Sequence, residues 1–141
     1  MSIEPAGQPR ELKILVVDDD RDGAESLAIL LQLSGHQVRL AYDGKQALTI
    51  AREFIPNVAL IDLGLPMMNG FEVARLIRQE PALNTTVLVA LTGYGREDDK
   101  RESVKAGFDH HLVKPTDFNA LEQVLQTVAD SEQADNSRTP N

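Results

Sequence analysis

The chain has 141 residues, a length that suits one compact domain with a substantial core. It contains no cysteine, which excludes disulfide scaffolds and thiolate sites, and only 4% aromatic residues, which predicts an aliphatic core. Fourteen basic and twenty-two acidic residues give a net charge of -8, and a field of that sign argues against direct binding of nucleic acid or of anionic membranes.

The first half of the chain alternates short apolar runs with amphipathic stretches. Apolar runs at residues 12–17, 37–41 and 58–61 predict three strands. Between the first two, apolar residues at positions 24, 27, 28 and 31 have the spacing of one helix face, and Gly35 then ends the helix. Positions 47, 50, 51 and 54 repeat that spacing before Pro56, which predicts a second helix.

The second half continues the alternation. Val73, Ala74 and Ile77 predict a helix that ends before Pro81, and residues 86–91 and 110–113 predict two more strands. Residues 96–105 carry four positive and four negative charges with only Val104 apolar, so we expect a weakly held helix there. Positions 121, 124, 125 and 128 predict the last helix, followed by a polar tail at 131–141 that we expect to be disordered.

Strands that alternate with helices predict βαβ units, whose right-handed crossovers place helices on both faces of a parallel sheet. We therefore expect an α/β domain at residues 12–130, preceded by an N-terminal extension at 1–11. No run approaches the roughly 18 apolar residues of a membrane span, and the N-terminus lacks an apolar signal core. A cytoplasmic location is the expectation that follows.

Polar residues stand where the predicted strands end. The set comprises Asp18, Asp19 and Asp20 after the first strand, Asp62 at the end of the third, Thr92 after the fourth, and Lys114 with Pro115 after the fifth. In open parallel sheets these ends share one edge, where ligands bind. Asp18, Asp19 and Asp62 would repel one another by roughly 4 kcal/mol per close pair, so the cluster needs a cation. A site with oxygen ligands alone favours Mg2+. We expect Asp20 to cap the next helix instead of binding the ion.

Four segments carry a resemblance to a known family: Ile14-Leu-Val-Val-Asp-Asp-Asp20, Asp62-Leu-Gly-Leu-Pro-Met-Met-Asn-Gly70, Leu91-Thr-Gly93 and Val113-Lys-Pro115. Over about residues 12–130 the chain resembles the receiver domain of response regulators in two-component and phosphorelay signalling, and residues 91–95 and 106–115 look similar to receiver modules of hybrid histidine kinases. The resemblance implies a flavodoxin-like, doubly wound sheet of five parallel strands in the order 2-1-3-4-5, with five helices.

The resemblance also implies roles for the strand-end residues. Asp62 would be the phosphoacceptor, taking a phosphoryl group from a phosphohistidine of a histidine kinase or a histidine phosphotransfer protein. Asp19, Asp62 and the backbone carbonyl of Gly64 would hold Mg2+ (or Mn2+), and Asp18 would act through water. Thr92 and Lys114 would bind the phosphoryl group.

Further positions are assigned by the same resemblance. The Lys114–Pro115 bond would be cis. At His111 the family generally places an aromatic ring; we expect either a surface strand residue or a switch residue whose charge makes the response pH-dependent. Gly64 and Tyr94 flank the approach of water to phosphorus, so both are expected to tune the lifetime of the phosphorylated state.

Two other functions compete with the phosphorylation switch. A haloacid-dehalogenase-like phosphatase would use Asp18 and Asp20 as nucleophile and acid/base, but would leave residues 62–66 without a role. A receiver-like scaffold would bind partners without phosphorylation. If the chain is a phosphorylation switch, we expect it to be no enzyme towards other substrates. The signal would be read by a separate protein target, or by other domains if the chain is a fragment. The contact surface would comprise residues 96–105, the last strand and the last helix.

Overall fold

A computed structural model of the chain describes residues 11–93 and 97–137. Its elements, in chain order, are β1 (Lys13–Val17), α1 (Arg21–Leu33), β2 (Gln37–Ala41), α2 (Gly44–Phe54), β3 (Val58–Asp62), α3 (Gly70–Arg78), a short 3-10 helix (Pro81–Leu83), β4 (Val87–Thr92), α4 (Glu97–Ala106), β5 (His110–Val113) and α5 (Phe118–Ser137). The predicted alternation of five strands with five α-helices is confirmed.

All five strands are parallel and form one sheet in the order β2-β1-β3-β4-β5, as the resemblance implies. The order reverses between β1 and β3, which is where doubly wound sheets open a crevice for ligands. The register pairs Val17 with Ile61, Asp62 with Leu91 and Thr92 with Val113. The carboxyl ends of β1, β3, β4 and β5 therefore lie side by side at one edge.

Apolar layers cover both faces of the sheet. Leu15, Ala59 and Leu88 pack towards α2 and α3, whereas their strand neighbours Ile14, Leu60 and Val89 pack towards α1 and α5. Adjacent side chains of a strand point to opposite faces, so strands that are covered on both sides read as continuous apolar runs. That is why β1, β3 and β4 were recognisable from the sequence.

Polar side chains cap the N-termini of α1, α2 and α3. The side chains of Asp20, Asp43 and Asn69 each accept a hydrogen bond from the backbone N–H three residues on, in α1, α2 and α3 respectively. Such caps satisfy N–H groups that have no partner within the helix. The predicted cap at Asp20 is confirmed, and each helix begins at a defined point just beyond a strand.

Two strands start one residue later than predicted, because their first predicted residue is bonded elsewhere. The backbone N–H of Leu12 donates to Nδ1 of His36 at 3.0 Å, before β1 begins. The backbone N–H of Thr86 donates to the carbonyl of Leu83 at 3.1 Å, before β4 begins. At the other ends, Asp62 is the last residue of β3, as expected, whereas Thr92 is the last residue of β4 rather than a residue beyond it.

The last two helices differ in how firmly they are packed. In α4, Ser103 and Ala106 are buried, whereas Val104, the only apolar residue expected there, is 72% exposed. The helix thus lies on small side chains, which supports the expectation of a weakly held element. Arg96, at the start of the predicted segment, lies outside the described residues.

The predicted disordered tail at 131–141 is wrong for its first seven residues, because α5 continues to Ser137. Residues 131–137 contain no glycine or proline, and Glu, Gln and Ala among them are good helix formers, so nothing stops the helix there. Residues 138–141 lie outside the described part of the chain. In the described segments no helix combines the length and apolarity that a membrane crossing requires.

Candidate functional site

Three carboxylates meet at the carboxyl edge of the sheet. One oxygen each from Asp18, Asp19 and Asp62 lies within 4.8 Å of the others. Asp18 and Asp62 are largely buried, and Asp19 is exposed. The clustering that was predicted from the strand ends is therefore present, although the chain separates Asp62 from the other two by more than forty residues.

Backbone hydrogen bonds orient the two buried carboxylates. Oδ1 of Asp18 accepts from the N–H of Asp20 at 3.0 Å, and Oδ1 of Asp62 accepts from the N–H of Gly64 at 2.9 Å. In addition, the N–H of Asp18 donates to the carbonyl of Ala41 at 3.0 Å, which extends the β1–β2 ladder by one residue. Both side chains are thus fixed by the turns that follow their strands.

Lys114 pairs with two of these carboxylates. Its Nζ lies 2.7 Å from Oδ2 of Asp18 and 3.1 Å from Oδ2 of Asp62, so it bridges both acids. The N–H of Lys114 donates to the carbonyl of Thr92 at 2.7 Å, which ties the lysine to the end of β4. The Lys114–Pro115 bond is cis, as the resemblance implies.

The cluster has a net negative charge. Burial raises the pKa of Asp18, and the charge of Asp62 adds to this, although hydrogen bonds from Lys114 and from the backbone of Asp20 oppose it. Burial acts to lower the pKa of Lys114, but its hydrogen bonds to Asp18 and Asp62 outweigh burial and leave that pKa raised. Three carboxylates against one ammonium leave two negative charges.

This donor set fits a hard divalent cation. The three side-chain ligands are carboxylate oxygens, converging within 4.8 Å, and their excess charge is what such an ion would neutralise. Mg2+ and Mn2+ both prefer oxygen ligands and retain water, in agreement with a cluster that is partly exposed. The residues present therefore fit the metal that the resemblance implies.

Thr92 is distinguished by its hydroxyl. The side chain is 2% exposed, and its Oγ1 has no hydrogen-bond partner among the described residues. A buried hydroxyl without a partner costs about 1–3 kcal/mol, so this Oγ1 is available to bond a further group at the site.

The remaining predicted residues are placed less completely. His111 lies in β5 beside Ala90 of β4 and is partly buried, and its role as a switch residue stays a prediction. Gly64 is exposed in the β3–α3 loop, next to Asp62. Tyr94 lies outside the described residues.

A groove beside the carboxylates was not predicted from the sequence. It has a volume of about 490 Å³ and runs from Asp18 and Lys114 along α1, where Leu27 and Leu30 line it, with Pro115 opposite. Leu30 is 46% exposed. The available signal was that α1 has more apolar residues than its buried stripe requires, because Leu30 stands off that stripe.

Comparison with known proteins places this geometry in a family. The model of the response regulator receiver domain matches residues 14–126. A 14.6 kDa protein in the sodA1 3′ region of Leptolyngbya boryana is 35% identical over 116 residues, which cover 82% of this chain and 88% of that protein. The DNA-binding response regulator MtrA of Mycobacterium tuberculosis is 40% identical over 103 residues, which cover 73% of this chain but 44% of MtrA.

Solved structures agree. The chemotaxis response regulator CheY4 of Vibrio cholerae superposes with a TM-score of 0.78 at 31% identity, over 84% of this chain and 99% of that one. The receiver domain of Ssk1 from Saccharomyces cerevisiae, crystallised with the histidine phosphotransfer protein Ypd1, gives a TM-score of 0.81 at 25% identity, over 88% and 92%. With the sheet order, the carboxylate cluster and the family match in agreement, this chain belongs to the response regulator receiver domain family of two-component signalling.

Proposed function

We propose that this receiver domain is a switch that is operated by phosphorylation of Asp62. The observation that carries the proposal is the position of that carboxylate, with oxygens of Asp18 and Asp19 within 4.8 Å and Nζ of Lys114 at 3.1 Å. An acid that is surrounded by other acids and by one lysine is suited to hold a metal ion and then a phosphoryl group.

The donor is a phosphohistidine of a histidine kinase or of a histidine phosphotransfer protein. An oxygen of the Asp62 carboxylate attacks phosphorus, an O–P bond forms, and the P–N bond to the imidazole breaks. The imidazole nitrogen leaves with the electron pair of that bond and takes up a proton. The product is an aspartyl phosphate on Asp62 and a neutral histidine on the donor.

Asp19, Asp62 and the backbone carbonyl of Gly64 would hold Mg2+ or Mn2+, and Asp18 would contribute through water. When bound, the ion would neutralise charge that develops on the transferred phosphoryl oxygens. The carboxylate of Asp18 also keeps Nζ of Lys114 at 2.7 Å, so the lysine stays beside the acceptor.

Lys114 and Thr92 would respond to the new group. Lys114 would move its hydrogen bond from Asp62 to a phosphoryl oxygen, and the hydroxyl of Thr92 would donate to another oxygen. The unpartnered, buried Oγ1 of Thr92 supports this step, because phosphorylation would supply the missing partner. The ends of β4 and β5 would then be drawn towards Asp62.

The lifetime of the phosphoryl group would depend on Gly64 and on Tyr94. A side chain at position 64 has room, since a Cβ there would lie 3.5 Å from Oδ1 of Asp62, an ordinary contact. Gly64 itself cannot orient water, so we expect faster self-dephosphorylation in a Gly64→Asn variant. An equal or longer lifetime in that variant would count against this role.

The output surface would comprise α4, β5 and α5. Since α4 rests on small buried residues and carries the exposed Val104, a few kcal/mol from the phosphoryl group can shift it between two positions. A separate protein target would read the difference. Hydrogen exchange in α4 should change on phosphorylation, and identical exchange in both states would contradict this.

The groove along α1 would receive the donor protein. Leu27, Leu30 and Pro115 offer apolar contacts next to Lys114 and Asp18, so a helix that lies on them would bring its histidine to Asp62. The complex of the Ssk1 receiver domain with Ypd1 supports a partner of this class. A Leu30→Arg variant should slow transfer from a phosphohistidine donor and leave labelling by acetyl phosphate unchanged.

The test of the proposed function is incubation with acetyl phosphate and Mg2+, followed by intact-mass measurement. The wild-type protein should gain one phosphoryl group, and Asp62→Asn should gain none. Asp20→Asn is the matched control, because asparagine preserves the helix cap and Asp20 would be needed only by the phosphatase alternative. Continuous turnover that Asp20→Asn abolishes would favour that alternative, and a wild-type protein without label would favour the scaffold.

A further inference from the structure

Gly70, the first residue of α3, lies directly against the backbone of the proposed phosphoacceptor. A Cβ on Gly70 would stand 2.6 Å from the carbonyl oxygen of Asp62 and 2.8 Å from Cα of Leu63. Both atoms belong to the main chain, so they could not move aside as the end of a flexible side chain can. The N–H of Gly70 also donates to the carbonyl of Leu63 at 3.3 Å.

These contacts close the loop between β3 and α3 on itself. The chain leaves the sheet at Asp62 and returns to the same point at Gly70, where Asn69 caps α3 by accepting from the N–H of Glu72 at 3.1 Å. Within the loop, the N–H of Gly64 donates to the carboxylate of Asp62 at 2.9 Å. The main chain of Asp62 is therefore in contact with Gly70 at the end of the loop, and its carboxylate is bonded to Gly64 at the start of the loop.

A second glycine, Gly44, lies against residues on either side of Gly70. A Cβ on Gly44, at the start of α2, would stand 2.9 Å from Cγ2 of Val73 and 3.0 Å from Cβ and Sδ of Met68. Met68 precedes Gly70 by two residues, and Val73 follows it by three. The start of α2 is thus pressed against the turn, and no methyl group fits between them without movement.

We propose that Gly70, with Gly44 behind it, is a positioning residue for Asp62. Its missing side chain lets the first turn of α3 lie on the end of β3 and hold the Asp62 carboxylate beside those of Asp18 and Asp19. This inference rests on the proposed function, since the position matters because the three carboxylates share a metal ion. Sites of this kind tolerate displacements of only about 0.5 Å.

The test is Mn2+ binding to the unphosphorylated chain of residues 1–141, measured by electron paramagnetic resonance of the free ion. Gly70→Ala should weaken Mn2+ binding about tenfold, because a displaced ligand loses its geometry. Ala74→Gly is the matched control: it destabilises the same helix without pushing on Asp62, and it should leave Mn2+ affinity unchanged.

Equal Mn2+ affinities for Gly70→Ala and Ala74→Gly, with native circular dichroism for both, would overturn the inference. If Gly70→Ala does not fold, Gly44→Ala decides. Its contacts are with side chains that can give, so we expect affinity weakened about threefold, and an affinity equal to that of Ala74→Gly would overturn the inference. A wild-type protein that does not bind Mn2+ would instead contradict the metal site of the proposed function, which separates the two failures.

Discussion

Replacing Asp19 with asparagine is expected to raise the free energy of unfolding of the metal-free protein and to abolish its response to Mg2+. Asp19 differs from the other two carboxylates because it is exposed, whereas Asp18 and Asp62 each pair with Lys114. The substitution thus removes repulsion within the cluster and preserves both ion pairs.

The magnitude follows from the separation of the oxygens. At 4.8 Å, the upper limit of the separations between these oxygens, a like-charged pair repels by about 0.9 kcal/mol in water and about 3.5 kcal/mol at an effective dielectric constant of 20. Asp19 is exposed, so the lower figure applies to its two pairs, and we expect a gain of about 1–2 kcal/mol at low salt. In the wild-type protein, Mg2+ at a hundred times its Kd should add about 2.7 kcal/mol, a gain that the variant should lack.

The assay is urea unfolding followed by circular dichroism, in EDTA and in Mg2+, at pH 7 and low ionic strength. Asp22→Asn is the control, since Asp22 is a neighbouring exposed acid on α1 that does not belong to the cluster, and its variant should keep the full Mg2+ response. A variant Asp19→Asn that is less stable than wild type in EDTA, or that is stabilised by Mg2+ as wild type is, would refute the reasoning.

Three further predictions concern residues away from the carboxylates. Ile55 has a left-handed backbone (φ 48°) with a β-branched side chain that is 42% exposed, so Ile55→Asn should raise the free energy of unfolding by about 1 kcal/mol; a lower value in urea unfolding would contradict this. Arg78 donates to the carbonyls of Gly107 and Thr86 and pairs with Asp109 at 2.7 Å, so Arg78→Met should cost about 3 kcal/mol, and a loss below about 1 kcal/mol would show that these partners find water instead. Burial lowers the pKa of His36 despite the opposing charges of Glu11 and Glu122, so the unfolded chain binds a proton more readily and stability should fall as pH drops below the ordinary value of about 6.5. His36→Asn can still accept the bond from Leu12 without titrating, so it should lack that part of the pH dependence, and identical pH profiles for the two proteins would count against the assignment.

Local patterns predicted the fold because the sheet is covered on both faces. Continuous apolar runs such as residues 14–17 identify such strands, and parallel strands bring their carboxyl ends to one edge. Asp18, Asp62 and Lys114 could therefore be placed together although they are distant in the chain. The strand order itself came from the resemblance, since periodicity says nothing about which strands are neighbours.

The strand ends predicted which residues lie near one another, but the geometry of their individual contacts could not be predicted. That Lys114 bridges two acids, or that Thr92 lacks a partner among the described residues, depends on side-chain geometry that no spacing encodes. The close approach of Gly70 to Asp62 is likewise a tertiary contact, and the motif that contains both residues gives only their order. The continuation of α5 to Ser137 could not be predicted from polar composition, because Glu, Gln and Ala suit both disorder and a helix.

The most direct test of the central claim is to locate the phosphoryl group. After incubation with acetyl phosphate and Mg2+, borohydride reduction would convert an aspartyl phosphate to homoserine, which peptide mass spectrometry can locate. The account predicts homoserine at position 62 and none in protein incubated without Mg2+. Homoserine at another aspartate, or none at all, would contradict it.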